Sequence, residues 1–250
     1  MNAIDNKNKT VVAAAEPRPI SNGANDYQQV KKSYRSADVA NRYDNKRFGE
    51  SPRKQMLNRQ LMTALLGVLN YIRTNGCRID SLFDMPCGTG RAFSTFLNKG
   101  IRFIGADISK EMMLQSRLNP VLKDVPMVQC DGTRAPFKDN SFDVIASLRF
   151  LTTFIPEEAR APIFKEMSRI SRGWVIIECR HENILSIIGE WIFQNLLHRP
   201  PRFNYFSRDA IKRELETAGI KLEKVFCPYG LASNKWLLLG RVAPKCCNKI

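Results

Sequence analysis

Apolar positions along the chain follow two different periods. Between residues 57 and 72, Leu57, Leu61, Ala64, Leu65, Val68, Leu69 and Ile72 recur at three- and four-residue spacing, which places them on one face of an α-helix. Ser51-Pro52 gives that helix a start and Asn75-Gly76 a stop. From Ile79 onward the pattern changes to short apolar runs alternating with helical stretches. Ile79 to Phe83 predicts a strand ending at Asp84, Arg91 to Leu97 a helix, and Phe103 to Ala106 a second strand ending at Asp107. Met127 to Gly132 reads as a third strand with its terminal acid, and the stretch from Ala135 leads into a fourth strand reaching Ser147. Gly173 to Glu178 reads as the fifth. A helix from Ser207, stopped by Gly219, precedes a sixth strand, and Trp236 to Val242 forms a seventh. Helices first, then alternating strand and helix, predict an α/β fold with a doubly wound sheet.

The chemistry is concentrated where the first strand ends. Cys87-Gly88-Thr89-Gly90 makes a tight turn between strand and helix. Glycine there permits positive φ and close approach of a ligand. Asp107 follows about 20 residues after the turn, the spacing at which a carboxylate binds both hydroxyls of a ribose. A dinucleotide fingerprint needs a third glycine, but Gly90 is followed by Arg91-Ala92-Phe93. The first strand ends instead in Asp84. A carboxylate there repels a pyrophosphate and suits an ammonium group. S-adenosylmethionine, with a ribose and an amino acid, fits both acids.

Asp84-Met-Pro-Cys-Gly-Thr-Gly90 resembles the first motif of class I S-adenosylmethionine-dependent methyltransferases, in the variant with Pro86 where many members carry glycine. The likeness extends from about Tyr34 to Val242, and the sequence resembles the branch that includes quinone-biosynthesis methyltransferases without assigning that substrate. It implies a Rossmann-like, seven-stranded, mostly parallel sheet with N-terminal capping helices and a helical insert after strand five. It further implies cofactor contacts from Asp84, Pro86, Cys87, Gly88 and Gly90 at the first turn. The others are Asp107 and Ile108, Asp131 and Gly132, Ser147 at the end of strand four, and Tyr43 from a leading helix. Tyr34 is a second tyrosine candidate there, and both tyrosines also read as packing residues.

The acceptor is less sharply marked. Methyl transfer needs in-line placement and exclusion of water, and a base only where the acceptor must lose a proton. Of the two histidines, His181 lies just past strand five and is the candidate base, with a plain surface histidine as the other reading. Arg149 lies where the acceptor arrives and suits either an anionic acceptor or a salt bridge. No [D/N]-P-P-[Y/F] sequence follows strand four, where the text is Ser147-Leu-Arg-Phe150, and no acid cluster or C-x-x-C spacing suggests a metal. A net charge of +15 favours polyanionic partners. The apolar stretch 183–203 is open to three readings: a core helix, a lid over the acceptor, or a helix lying on a membrane. The expected function is methylation, on oxygen or carbon, of a small or lipid-linked acceptor, with peripheral association with anionic membrane as a possible partner surface. An RNA or protein methyltransferase and a non-catalytic binding module are the alternatives.

Residues 1–25 read as a polar, unstructured tail. The expected domain is 26–243, with capping helices over 26–76, the insert at 183–206, and a tail at 244–250. Seven cysteines without disulfide spacing, and no secretory signal, give a cytoplasmic location as the expectation, with the inner membrane surface as a peripheral site.

Overall fold

A computed structural model of the chain describes Lys32 and residues 34–48, 51–97, 99–153, 155–196, 198, 203–230 and 233–243. The expected tails at 1–25 and 244–250 lie outside these residues. Two helices come first, α1 (Ala37–Phe48) and α2 (Pro52–Thr74). Then follow β1 (Ser81–Asp84), α3 (Phe93–Leu97), β2 (Arg102–Asp107), α4 (Lys110–Ser116) and β3 (Met127–Gln129). The second half comprises β4 (Phe142–Leu151), α5 (Glu157–Ile170), β5 (Ser171–Arg180), α6 (Ile184–Trp191), α7 (Arg208–Thr217), β6 (Ile220–Phe226) and β7 (Lys235–Val242).

The seven strands form one sheet in the order β3-β2-β1-β4-β5-β7-β6, with only β7 antiparallel to its neighbours. The central strands are covered on both faces, so they read as unbroken apolar runs rather than alternating ones. In β4, Ile145 packs into one core with Phe83, Phe164 and Val175. Its neighbours Val144 and Ala146 pack into the other, with Leu65, Leu69 and Phe96. The helical face expected on α2 is the buried one: Leu61, Leu65, Val68, Leu69 and Ile72 all meet the second core.

At the N-terminal edge of the sheet, Asp143 ties β4 to β1. Its Oδ2 accepts hydrogen bonds from the Asp80 and Ser81 amides, each at 2.9 Å, and from Ser81 Oγ at 2.8 Å. Burial raises the Asp143 carboxyl, but the bonds from Ser81, Asp80 and Arg172 outweigh it and leave the group below the usual carboxylate range. The opposite, C-terminal edge is thereby left to carry loops, where ligands bind in open α/β sheets.

Two strand ends differ from expectation. β4 runs through Arg149 to Leu151, because Leu151 pairs with Cys179 of β5 after a register irregularity beyond Ser147. Arg149 occupies that irregularity with φ of 66°, so it lies within β4 and not after it. Strand three is shorter than expected, ending at Gln129, so Asp131 stands in the loop beyond it.

Candidate functional site: a cavity at the C-terminal edge of the sheet

The ends of β1, β2 and β4 open into one cavity, together with the loop after β3. Its wall takes Asp84 to Thr89 from the first turn, Asp107 and Ile108 from the second strand end, and Cys130 to Gly132 from the third. Tyr34 and Tyr43 close it from the N-terminal side, their rings edge-to-face with centroids 6.4 Å apart. Leu61, Met62, Leu148, Phe150, Ile155 and Ile163 make much of the remaining wall apolar.

Two carboxylates dominate the polar part. Asp84 is 2% exposed, and its Oδ1 has no hydrogen-bond partner. Burial first, and the charge of Asp107 second, push its carboxyl well above the ordinary range. A buried acceptor left unpaired is costly, and a cation brought to it would recover that cost. Asp107 is differently placed. Its Oδ2 accepts from the Gly88 amide at 2.8 Å and its Oδ1 from the Ser109 amide at 2.9 Å. Burial raises its carboxyl too, and the backbone bonds from Ser109, Gly88 and Ile108 partly offset this. Each oxygen keeps a further lone pair for a hydroxyl donor. The Asp107–Gly88 bond also locks the glycine turn to the end of β2, fixing both acids relative to each other.

The two turn glycines do different jobs. Gly88 has φ of 54°, and a Cβ added to it would meet nothing within 4 Å. Gly90 has φ of 75°, and its added Cβ would stand 3.0–3.1 Å from Phe93 and Leu122. Gly88 lines the cavity; Gly90 is a packing position below it. At the third strand end, Asp131 Oδ1 accepts from the amide and hydroxyl of Thr133, each at 3.0 Å, which holds this loop in a tight turn.

Residues 83–177 match the family model described as "Methyltransferase domain". Over that stretch the chain is similar to S-adenosylmethionine-dependent methyltransferases of class I. A demethylmenaquinone methyltransferase from Corynebacterium urealyticum is 32% identical over 96 residues, which is 37% of this chain and 37% of that protein. A probable tRNA methyltransferase 9B from Mus musculus is 29% identical over 87 residues, 35% of this chain and 18% of that protein. These matches therefore span little more than a third of the curated relatives' length at most. Among solved structures, magnesium protoporphyrin IX methyltransferase from Synechocystis PCC 6803 with bound SAH superposes with a TM-score of 0.66. It is 14% identical, with 86% of this chain and 99% of that chain covered, a likeness of fold.

The cavity gathers Tyr43, Asp84, Pro86, Cys87, Gly88, Asp107, Ile108, Asp131, Gly132 and Arg149 from the residues singled out in the sequence. It does not gather three others. Gly90 is excluded because its space is filled by Phe93 and Leu122. Ser147 is 1% exposed, its hydroxyl lies inside the sheet without a partner, and it is not part of the wall. His181 is the third. Its Nδ1 lies 2.9 Å from Glu182 O and its Nε2 2.8 Å from Ser233 O, while its ring stacks on Trp236 at 4.3 Å. Both ring nitrogens face main-chain carbonyls, and the ring does not line the cavity.

Sequence reading passed over Arg91, Met112, Phe150 and Thr153, which line the wall. Arg91 directly follows the glycine turn, and Phe150 directly follows Arg149. Adjacency to a strand end was the available signal for both. None of the described residues of the insert lines the cavity, so the reading of that segment as a lid is not borne out. Among its described apolar side chains, Ile184, Ile187, Ile188, Trp191, Ile192 and Leu196 are exposed, which does not favour the reading as a core helix. No group of three or more potential metal ligands occurs among the described residues.

Proposed function

We propose that this protein transfers a methyl group from S-adenosylmethionine to a small or lipid-linked apolar acceptor that reaches the cavity as an anion. The observation that carries the cofactor half is the pair of buried carboxylates: one with an unpaired oxygen, the other braced by two backbone amides. Asp84 would take the cofactor's ammonium and Asp107 its ribose hydroxyls, with Asp131 and Ile108 flanking the adenine. When bound, the cofactor supplies a sulfonium methyl that is already activated for transfer. The remaining work falls to the chain's own residues.

Tyr34 and Tyr43 close the N-terminal side of the cavity, where they would exclude water. Leu148, Phe150, Ile155 and Ile163 offer an apolar surface for the acceptor ring or chain. Arg91 and Arg149 share that wall, and their charge would stabilise an acceptor oxygen or carbon as its anion. An acceptor already ionised beside two guanidinium groups needs no histidine base, in keeping with a cavity wall that contains none among the described residues. Placement and desolvation then account for the rate. Similar proteins are named for demethylmenaquinone and for magnesium protoporphyrin IX, which supports a small-molecule acceptor.

The test is transfer of labelled methyl from S-adenosylmethionine to a panel comprising quinone precursors, lipid extract and transfer RNA. Label in the quinone or lipid fraction, lost in Arg149→Gln but with cofactor binding kept, is the expected result. Label confined to RNA would replace the apolar acceptor with a nucleic acid.

A further inference from the structure

The segment between β5 and α7 presents a surface for which the cavity gives no reason. It leaves the sheet at Arg180 and returns at Phe206, and its two ends are fastened together. Phe206 donates its amide to Arg180 O at 3.0 Å, and Glu182 donates its amide to Phe206 O at 3.0 Å. Between them α6 begins with reciprocal caps. The Ser186 amide donates to Asn183 Oδ1 at 2.8 Å, and the Asn183 amide donates to Ser186 Oγ at 2.9 Å. The segment is thus a well-formed helix on a tied base, continued by a π-helical turn, Ile192–Leu196.

Six apolar side chains among the described residues of that helix and its π turn are exposed. Ile184 is 73% exposed, Trp191 62% and Leu196 69%, with Ile187, Ile188 and Ile192 also exposed. The spacing 184, 187, 188, 191 is one stripe of an α-helix. In the wider π turn, Leu196 follows Trp191 by five residues and extends it. Six of the eleven exposed large hydrophobic side chains among the described residues fall in these thirteen positions, so this is a patch and not scatter. Among the described residues, no element other than the π turn that continues it packs substantially on α6.

Charge decides what covers it. The chain carries a net charge of +15, and Arg208 at the base of the segment is exposed. A second copy of so basic a chain would be repelled. RNA would satisfy the charge but offers no apolar phase for isoleucine and tryptophan. An anionic bilayer satisfies both. We propose that the Ile184–Leu196 face lies in the headgroup region of an anionic lipid bilayer. At about 20 Å the helix is too short to cross the bilayer and suited to lying along it. Because α6 departs from the C-terminal end of β5, it sits on the same edge of the sheet as the cavity. Docking there would bring a lipid-phase acceptor to the cavity wall. The purpose of this surface rests on the apolar acceptor proposed above; its existence does not.

The test is flotation of the full-length chain with vesicles of phosphatidylglycerol and phosphatidylcholine, and with phosphatidylcholine alone. The chain is expected to float with the anionic vesicles, and far less with the neutral ones. Added salt should weaken but not abolish the binding, since headgroup attraction is screened over about 8 Å at physiological ionic strength while apolar insertion is not. Ile187→Ser with Trp191→Ser should lower the partition at least about tenfold. Both side chains are exposed, so the melting temperature and S-adenosylmethionine affinity should be unchanged. A wild-type chain that stays with the unbound fraction at low salt overturns the proposal. So does one that sediments as a dimer that the double variant makes monomeric. Cofactor binding without flotation would reject this surface alone; flotation without cofactor binding would reject the proposed reaction alone.

Discussion

The two ends of the cavity are built on different principles. The side formed by β1, β2 and the glycine turn is made of backbone: amides of Gly88 and Ser109 grip Asp107, and a left-handed Gly88 leaves space beside Asp84. The side formed by β4, α2 and α5 is made of side chains, Leu61, Leu148, Phe150, Ile155 and Ile163, drawn from distant parts of the chain. A cofactor with fixed hydrogen-bonding groups demands a fixed backbone, and a short local sequence encodes that. An apolar acceptor demands only a shape, and many sequences supply one. The contrast predicts that changes on the first side are severe and specific to cofactor, whereas changes on the second are graded and specific to acceptor.

The sharpest break of that contrast lies within the turn. Gly88→Val should leave a folded protein, strained by about 1–2 kcal/mol by its φ, but cut cofactor affinity by about a hundredfold or more. Gly90→Val should do the reverse in kind. It forces a side chain against Phe93 and Leu122, costing about 1–3 kcal/mol by overpacking alone, and should lower the melting temperature first. Thermal melts alongside calorimetry separate the two. Equal loss of stability in both would show that Gly88 serves packing only.

Asp107→Ala comes next. Hydrogen bonds to a charged group contribute about 1.5–3 kcal/mol each, so losing the ribose seat should weaken cofactor binding at least about tenfold by calorimetry. On the acceptor side, Phe150→Ala should raise the acceptor KM several-fold with little change in cofactor affinity. Steady-state kinetics against each substrate would read the split, and a parallel fall in cofactor affinity would blur the proposed division. The smallest effect is expected at the rim. His181→Ala removes a stack on Trp236 and its contacts to Glu182 and Ser233 carbonyls. It should cost about 1–2 kcal/mol of stability and leave turnover nearly intact; a hundredfold loss of kcat in a folded variant would restore it as a base.

Legibility in the sequence divides along the same line. Asp84, the turn and Asp107 are within 24 residues of one another, and the spacing that binds a nucleoside is local. The central strands were readable because strands buried on both faces become unbroken apolar runs. The insert's apolar character was readable too, but its exposure was not: an apolar helix reads alike whether packed or bare until its neighbours are known. His181 stood at the right edge of the sheet, yet its direction is set by Ser233, 52 residues away. The end of β4 was misjudged for the same reason, since its last pairing depends on Cys179 in another strand.

The central claim is that Asp84 is a buried carboxylate held ready for a cation. Burial and Asp107 raise its carboxyl in the folded chain, so its folded value exceeds the unfolded one of about 3.9. Stability conferred by the protonated form is present below the unfolded value and is lost as pH rises through the raised folded one. At pH above that raised value the ionised group destabilises the ligand-free protein, and an ammonium group should draw the proton off and pair with the carboxylate. The direct measurement is calorimetric titration of S-adenosylmethionine into wild type and Asp84→Asn across pH, with melts of the ligand-free proteins. Wild-type affinity should rise with pH and level off. Asp84→Asn should bind at least about tenfold more weakly, lose that pH dependence, and melt higher than wild type without ligand. Equal affinity in the two proteins, with the same pH dependence, would contradict the account.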